Sequence, residues 1–149
     1  MPSQPLFIST PGDMLRKARH DFEVLKKELN AYNLFNFIVT VYHIRDYVKT
    51  MGTIPKNVID QLNKDDDFAL ARFICNRGKH LVLKQKHRIE VNEAYVGAVS
   101  GRAISGLARS GLREWYVLFV NGKELDPIEL GDRLLTMWDK FFKKYCIKQ

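Results

Sequence analysis

The fold class predicted by this sequence is mainly α: a four-helix bundle with a small antiparallel β insert before the last helix. Three observations predict it. Near the start, Leu15, Ala18, Phe22, Leu25, Leu29 and Tyr32 recur at alternating steps of three and four, the spacing that lines one helix face. The next segment is apolar nearly all round, as a helix central to a bundle must be. From Arg88 the pattern turns to partial alternation with β-branched and aromatic residues, and helical spacing returns only after Asp126-Pro127.

In order along the chain, Ser9 or Thr10 can cap a first helix that follows Pro11, because a side-chain oxygen there satisfies a free backbone N–H and Pro suits the first helical position. Its seam faces a neighbour and leaves Arg16, Lys17, Arg19, Lys26 and Lys27 to solvent. Asn33 breaks or caps before a second helix, Leu34 to about Met51, which ends at Gly52. Phe35, Phe37, Ile38, Val39, Val41, Tyr42, Ile44, Tyr47 and Val48 make it apolar. The exceptions are Asn36, Thr40, His43 and Asp46, whose steps of 4, 3 and 3 place them on one stripe.

A short helix follows Pro55, from Lys56 to Leu62, and Asn63–Asp67 is a polar turn. Asp66 or Asp67 caps the third long helix, Phe68 to about Leu83. The β insert covers about 88–125. Arg88–Val96 and Leu112–Val120 are strands, the second ending at the hairpin signal Asn121-Gly122. Between them Gly97, Gly101, Gly106 and Gly111 space a loop or irregular strand pair. Asp126 then caps the last helix, with Pro127 first and Glu129 third. It turns Ile128, Leu134, Leu135, Trp138, Phe141, Phe142 and Tyr145 to the core.

The 149 residues, 46% hydrophobic and 28% charged, predict a single helical-bundle domain over 1–149 and exclude wholesale disorder. The net charge of +7 favours polyanionic partners. Cys75 and Cys146 fall in predicted helices without a neighbouring Cys, so free thiols in a reducing cytoplasm are expected, and no signal peptide opens the sequence. No apolar run reaches the ~18 residues of a spanning helix, since His43, Arg45 and Asp46 interrupt the strongest candidate. A soluble cytoplasmic protein without a membrane partner is the expectation.

The chemistry concentrates in Arg72-Phe-Ile-Cys-Asn-Arg-Gly-Lys-His80. Arg72, Asn76 and His80 stand one above another on a helix, with Lys79 beside them. From Phe68 to Ile89 there is no Asp or Glu, while Arg72, Arg77, Lys79, Lys84, Lys86 and Arg88 all occur. A nuclease without metal needs a base for the ribose 2′-hydroxyl, an acid for the leaving oxygen, and cations for the phosphorane charge. His80 suits the first or second role, Arg72 or Lys79 the third, and Asn76 can orient a phosphate oxygen or the imidazole. The plainer reading is that these residues cap and solvate a helix C-terminus, where cations meet the negative dipole end.

The second-helix stripe of Asn36, Thr40, His43 and Asp46 either forms a structural network or joins the site, with His43 and Asp46 as an oriented imidazole. Arg77, Lys84, Lys86, Arg88, Arg102 and Arg109 are candidate nucleic-acid contacts; for the last two, a flexible Gly-rich connection is the alternative. The lysines Lys140, Lys143, Lys144 and Lys148 form a solvated face or extend the basic footprint. His20, His43, His80 and His87 contain no i, i+4 pair, so no metal site is expected, and no P-loop or dinucleotide fingerprint implies a cofactor.

Asn36-Phe-Ile-Val-Thr-Val-Tyr-His-Ile-Arg-Asp46 together with Cys75-Asn-Arg-Gly-Lys-His80 resembles small uncharacterised helical proteins of bacteria and phages and, more distantly, the HEPN superfamily. The resemblance covers about Phe22 to Leu83 and the final helix. It implies a helical bundle, metal-independent cleavage of RNA in toxin–antitoxin or phage-defence settings, and a homodimer with an Arg-x4–6-His motif at its interface. Arg72 precedes His80 by eight positions and Arg77 by three. Only His80 therefore carries over as a motif position, and Arg72 and Asn76 are stand-ins on its face. The leading expectation is an RNA-binding, RNA-cleaving bundle. The rivals are a noncatalytic interaction or assembly module and a binder of nucleotides or small anions between the second and third long helices.

Overall fold

The most apolar segment forms the hub. In a computed structural model that describes residues 6–79, 91–96, 116–120 and 123–149, helix α2 (Ala31–Met51) packs against α1 (Pro11–Lys27), α4 (Asp66–Lys79) and α5 (Pro127–Lys144). Phe37, Ile38, Val41, Ile44 and Val48 of α2 are fully buried. A short α3 (Lys56–Asp60), continued by a 3-10 turn over Gln61–Lys64, links α2 to α4 and plants Ile59 and Leu62 in the core. The mainly helical bundle is the architecture that the apolar spacing predicts.

The helix ends follow their capping chemistry, with local corrections to the sequence expectation. Thr10 caps α1 in a reciprocal box: its hydroxyl accepts from the Asp13 N–H at 3.0 Å, and the Asp13 carboxylate accepts from the Thr10 N–H at 3.0 Å. Hydrogen bonds from the Thr10 side chain and the Ser9 backbone hold the Asp13 carboxyl down at about 2. At its other end α1 stops at Lys27, where Glu28 turns extended. Leu29 therefore lies in the connection, and Tyr32 starts α2 with 82% of its surface exposed; neither extends the α1 seam. Asn30, not Asn33, caps α2, accepting from the Asn33 N–H at 2.8 Å. Asp65, not Asp66 or Asp67, caps α4 by accepting from the Phe68 N–H at 2.9 Å. Asp66 and Asp67 instead lie in the first turn, where negative charge suits the dipole. Asp67 also takes both Nε and Nη2 of Arg133, at 2.8 and 3.0 Å, which ties the start of α4 to α5 and raises the Arg133 pKa.

Cys146 lies past the end of α5, exposed and left-handed at φ 53°, rather than inside the helix. The Ile147 N–H reaches back to the Phe142 carbonyl and the Cys146 N–H to the Lys143 carbonyl. This double closure satisfies the last carbonyls and folds Ile147 onto the core.

The insert is a three-stranded antiparallel sheet in the order β1 (Val91–Val96), β2 (Tyr116–Val120), β3 (Lys123–Leu125). Val96 pairs with Tyr116, Ala94 with Leu118 and Val120 with Lys123, with an irregularity between Val91 and Glu93. The expected Gly97–Gly111 connection and the Asn121-Gly122 turn lie outside the described residues. No helix among the described residues is long and apolar enough to cross a membrane.

Candidate functional site

The second-helix stripe divides between two neighbours. Thr40, 2% exposed, faces α1. Its hydroxyl accepts from Lys17 Nζ at 2.8 Å and donates to Asp21 Oδ2 at 2.7 Å, while Lys17 and Asp21 pair with each other at 2.5 Å. The Asn36 carbonyl also lies 2.9 Å from that hydroxyl. A buried hydroxyl without partners would cost about 1–3 kcal/mol, and this closed triangle avoids that by fixing the register of α1 on α2. The Asn36 side chain is exposed one turn earlier.

His43, half-buried, turns toward α4. Its Nδ1–H donates to the Val39 carbonyl at 2.7 Å, which orients the ring, and Cys75 Sγ lies 4.0 Å from the same nitrogen. Nε2 stands 3.9 Å from Asp46 Oδ2, beyond hydrogen-bond length. The Asp46 carboxylate also lies 3.4 Å from Arg45 Nε. Thus the backbone, rather than Asp46, aims the imidazole. Cys75 is fully buried, so its sulfur is closed to any substrate. The neighbouring Tyr42 phenol is pushed up by burial, against the pull of the Arg45 and Arg72 guanidinium groups.

On α4, Arg72 and Asn76 are half-buried and Arg77 is exposed. Among the described residues, the Arg72 and Asn76 side chains hold no hydrogen-bond or ion-pair partner. The residue that meets His43 is thus Cys75, one position before Asn76. Lys79 ends the described part of α4, and nothing further is described of its side chain. His80, Lys84, Lys86, Arg88, Arg102 and Arg109 lie outside the described residues.

Gly78 explains how the α4 end seats itself. A Cβ there would stand 2.0 Å from the Phe35 ring, so only glycine lets the last turn of α4 lie against the first turns of α2. The contact puts the end of α4 against the start of α2, while Arg72, earlier on α4, lies near Tyr42 at the middle of α2. No spacing rule flags Gly78, because a lone glycine inside a helical pattern first reads as a weakness of the helix. Lys17, which the spacing of α1 leaves to solvent, instead reaches across to Thr40 of α2 together with Asp21.

Among the described residues no group of three His, Cys, Asp or Glu side chains is placed to hold a metal ion. A groove of about 770 Å³ opens at the other end of α2, beside Tyr47 and Met51, and does not join the two stripes. Comparison with known protein families, curated proteins and solved structures finds no significant match to this chain.

Proposed function

We propose that the chain binds RNA at the α4 end of the bundle, with Arg72, Asn76 and Lys79 on the phosphate backbone and His80 as the acid or base of metal-independent cleavage. The observation that carries this reading is the contrast between the two stripes. Thr40 and His43 of α2 are engaged by hydrogen bonds in the fold, whereas Arg72 and Asn76 of α4 are half-buried and form no side-chain hydrogen bond or ion pair among the described residues, Arg72 having only the Tyr42 phenol nearby. A guanidinium held in that setting is a strong phosphate ligand, because its planar donors match phosphate oxygens and it sheds its own hydration readily. The sequence that continues from α4 adds Lys84, Lys86 and Arg88 without an acidic residue before Glu90.

Binding of this kind releases counterions, so RNA affinity should fall linearly on a log–log plot against salt. Replacing Lys84, Lys86 and Arg88 by Gln should flatten the slope by about 0.7 for each phosphate of the single strand that is no longer neutralised. Fluorescence anisotropy of a labelled single-stranded RNA over a salt series measures it. Salt-independent binding, or no binding at low ionic strength, would remove nucleic acid as the ligand.

A further inference from the structure

Tyr42 sits where α2 faces α4, and its ring is buried against Phe68 with centroids 5.2 Å apart. Burial pushes the phenol up, so it keeps its proton and can donate. Its oxygen accepts from Nη1 of Arg45 at 3.0 Å, and that guanidinium lies over the ring, 5.3 Å from the centroid. Among the described residues the phenol donates to no acceptor, although buried hydroxyls ordinarily use their proton.

Arg45 also holds donors in reserve. Its Nε is buried and makes no hydrogen bond among the described residues. The Asp46 carboxylate, 3.4 Å from that nitrogen, forms an ion pair without hydrogen-bond alignment and is itself half exposed. From α4, the half-buried Arg72 acts on the same phenol. The charged side chains felt by the phenol are thus two guanidinium groups and one carboxylate, which leaves positive charge in excess.

We infer that Arg45, Tyr42 and Arg72 together hold one phosphate group of the bound strand, so that Arg45 is a phosphate ligand contributed by α2. The inference rests on the RNA reading and extends its site from α4 onto the neighbouring helix. A phosphodiester supplies what this set lacks: one negative charge to balance the excess, and oxygens that accept several charge-assisted hydrogen bonds. Asn76 follows Arg72 by one turn, about 6 Å along α4, and is placed for the next part of the backbone.

Anisotropy titration of a labelled single-stranded RNA with the full chain at physiological salt tests the shared site. Arg45→Gln should weaken binding about tenfold, as loss of a charge-assisted hydrogen bond does. Combined with Arg72→Gln, it should cost clearly less than the product of the two single losses, because side chains that hold one group are energetically coupled. Tyr42→Phe keeps the ring against Phe68 and removes only the hydroxyl, with a loss of about threefold expected. It carries the test if Arg45→Gln alters the far-UV circular dichroism. Wild-type affinity retained by both Arg45→Gln and Tyr42→Phe would overturn the shared site while leaving RNA binding itself standing. So would single losses that multiply in the double variant. A wild-type chain that binds no RNA would overturn the RNA reading, and this site with it.

Discussion

Trp138→Ala is expected to lower the unfolding free energy by about 3–5 kcal/mol, the range for removing a large aromatic from a packed core. Trp138 has no exposed surface and stands edge-on to Phe68, Phe141 and Phe142, with centroid distances of 6.0, 5.5 and 6.2 Å. Its indole N–H donates to the Val41 carbonyl at 2.8 Å, in the middle of the hub helix. One side chain thereby joins α5, α4 and α2. Trp138→Phe separates the two contributions: it keeps an aromatic ring but removes the donor and some volume, so a smaller loss than with Ala is expected. Equilibrium denaturation in urea measures both. A loss below about 1 kcal/mol for Trp138→Ala, within the scatter of surface changes, would mean that α5 does not complete this core.

His80→Ala should reduce RNA cleavage about 10²–10⁴-fold, the usual contribution of a general acid or base, while leaving the fold and RNA affinity nearly unchanged. Cleavage should persist in chelator and leave a 2′,3′-cyclic phosphate. In the proposed mechanism the ribose 2′-oxygen attacks phosphorus, the 5′-oxygen departs, and one proton moves from the attacking to the leaving oxygen through protein groups. DNA lacks that hydroxyl and should survive. Wild-type protein that cuts no RNA, or an alanine variant that cuts equally well, would return His80 to a helix-terminal role.

The parts of the fold legible in the sequence are those set by local periodicity and local chemistry. The apolar spacing of α1 and α5 and the all-round apolar α2 name most of the core, and Asp126-Pro127 marks the start of α5. The shifted helix ends arose where several capping residues sit close together. Asn30 and Asn33 both suit a cap, as do Asp65, Asp66 and Asp67, and only the path of the chain selects among them. Long-range pairings were least legible. A stripe at helical spacing shows that Thr40 and His43 share a helix face, but not that Thr40 turns to Lys17 and Asp21 while His43 turns to Cys75. At a helix that touches three others, a modest rotation about the axis hands adjacent stripe residues to different neighbours. The fit of Gly78 against Phe35 belongs to the same class, since it depends on how closely two backbones approach.

The central claim is that RNA is held at the α4 end and not by basic charge spread over the bundle. Anisotropy titration of single-stranded RNA with two variants at physiological salt tests it most directly. Arg72→Gln removes the half-buried guanidinium of α4. Replacing Lys140, Lys143, Lys144 and Lys148 by Gln removes four exposed cations of α5 and the tail after it, where Lys148 lies beside Met51 on the groove. Exposed charges farther from a bound strand than the Debye length of about 8 Å are largely screened from it. The account predicts that Arg72→Gln weakens binding about tenfold or more, as loss of a charge-assisted hydrogen bond does, while the fourfold lysine variant changes it far less. A strong loss with the lysine variant and none with Arg72→Gln would contradict it.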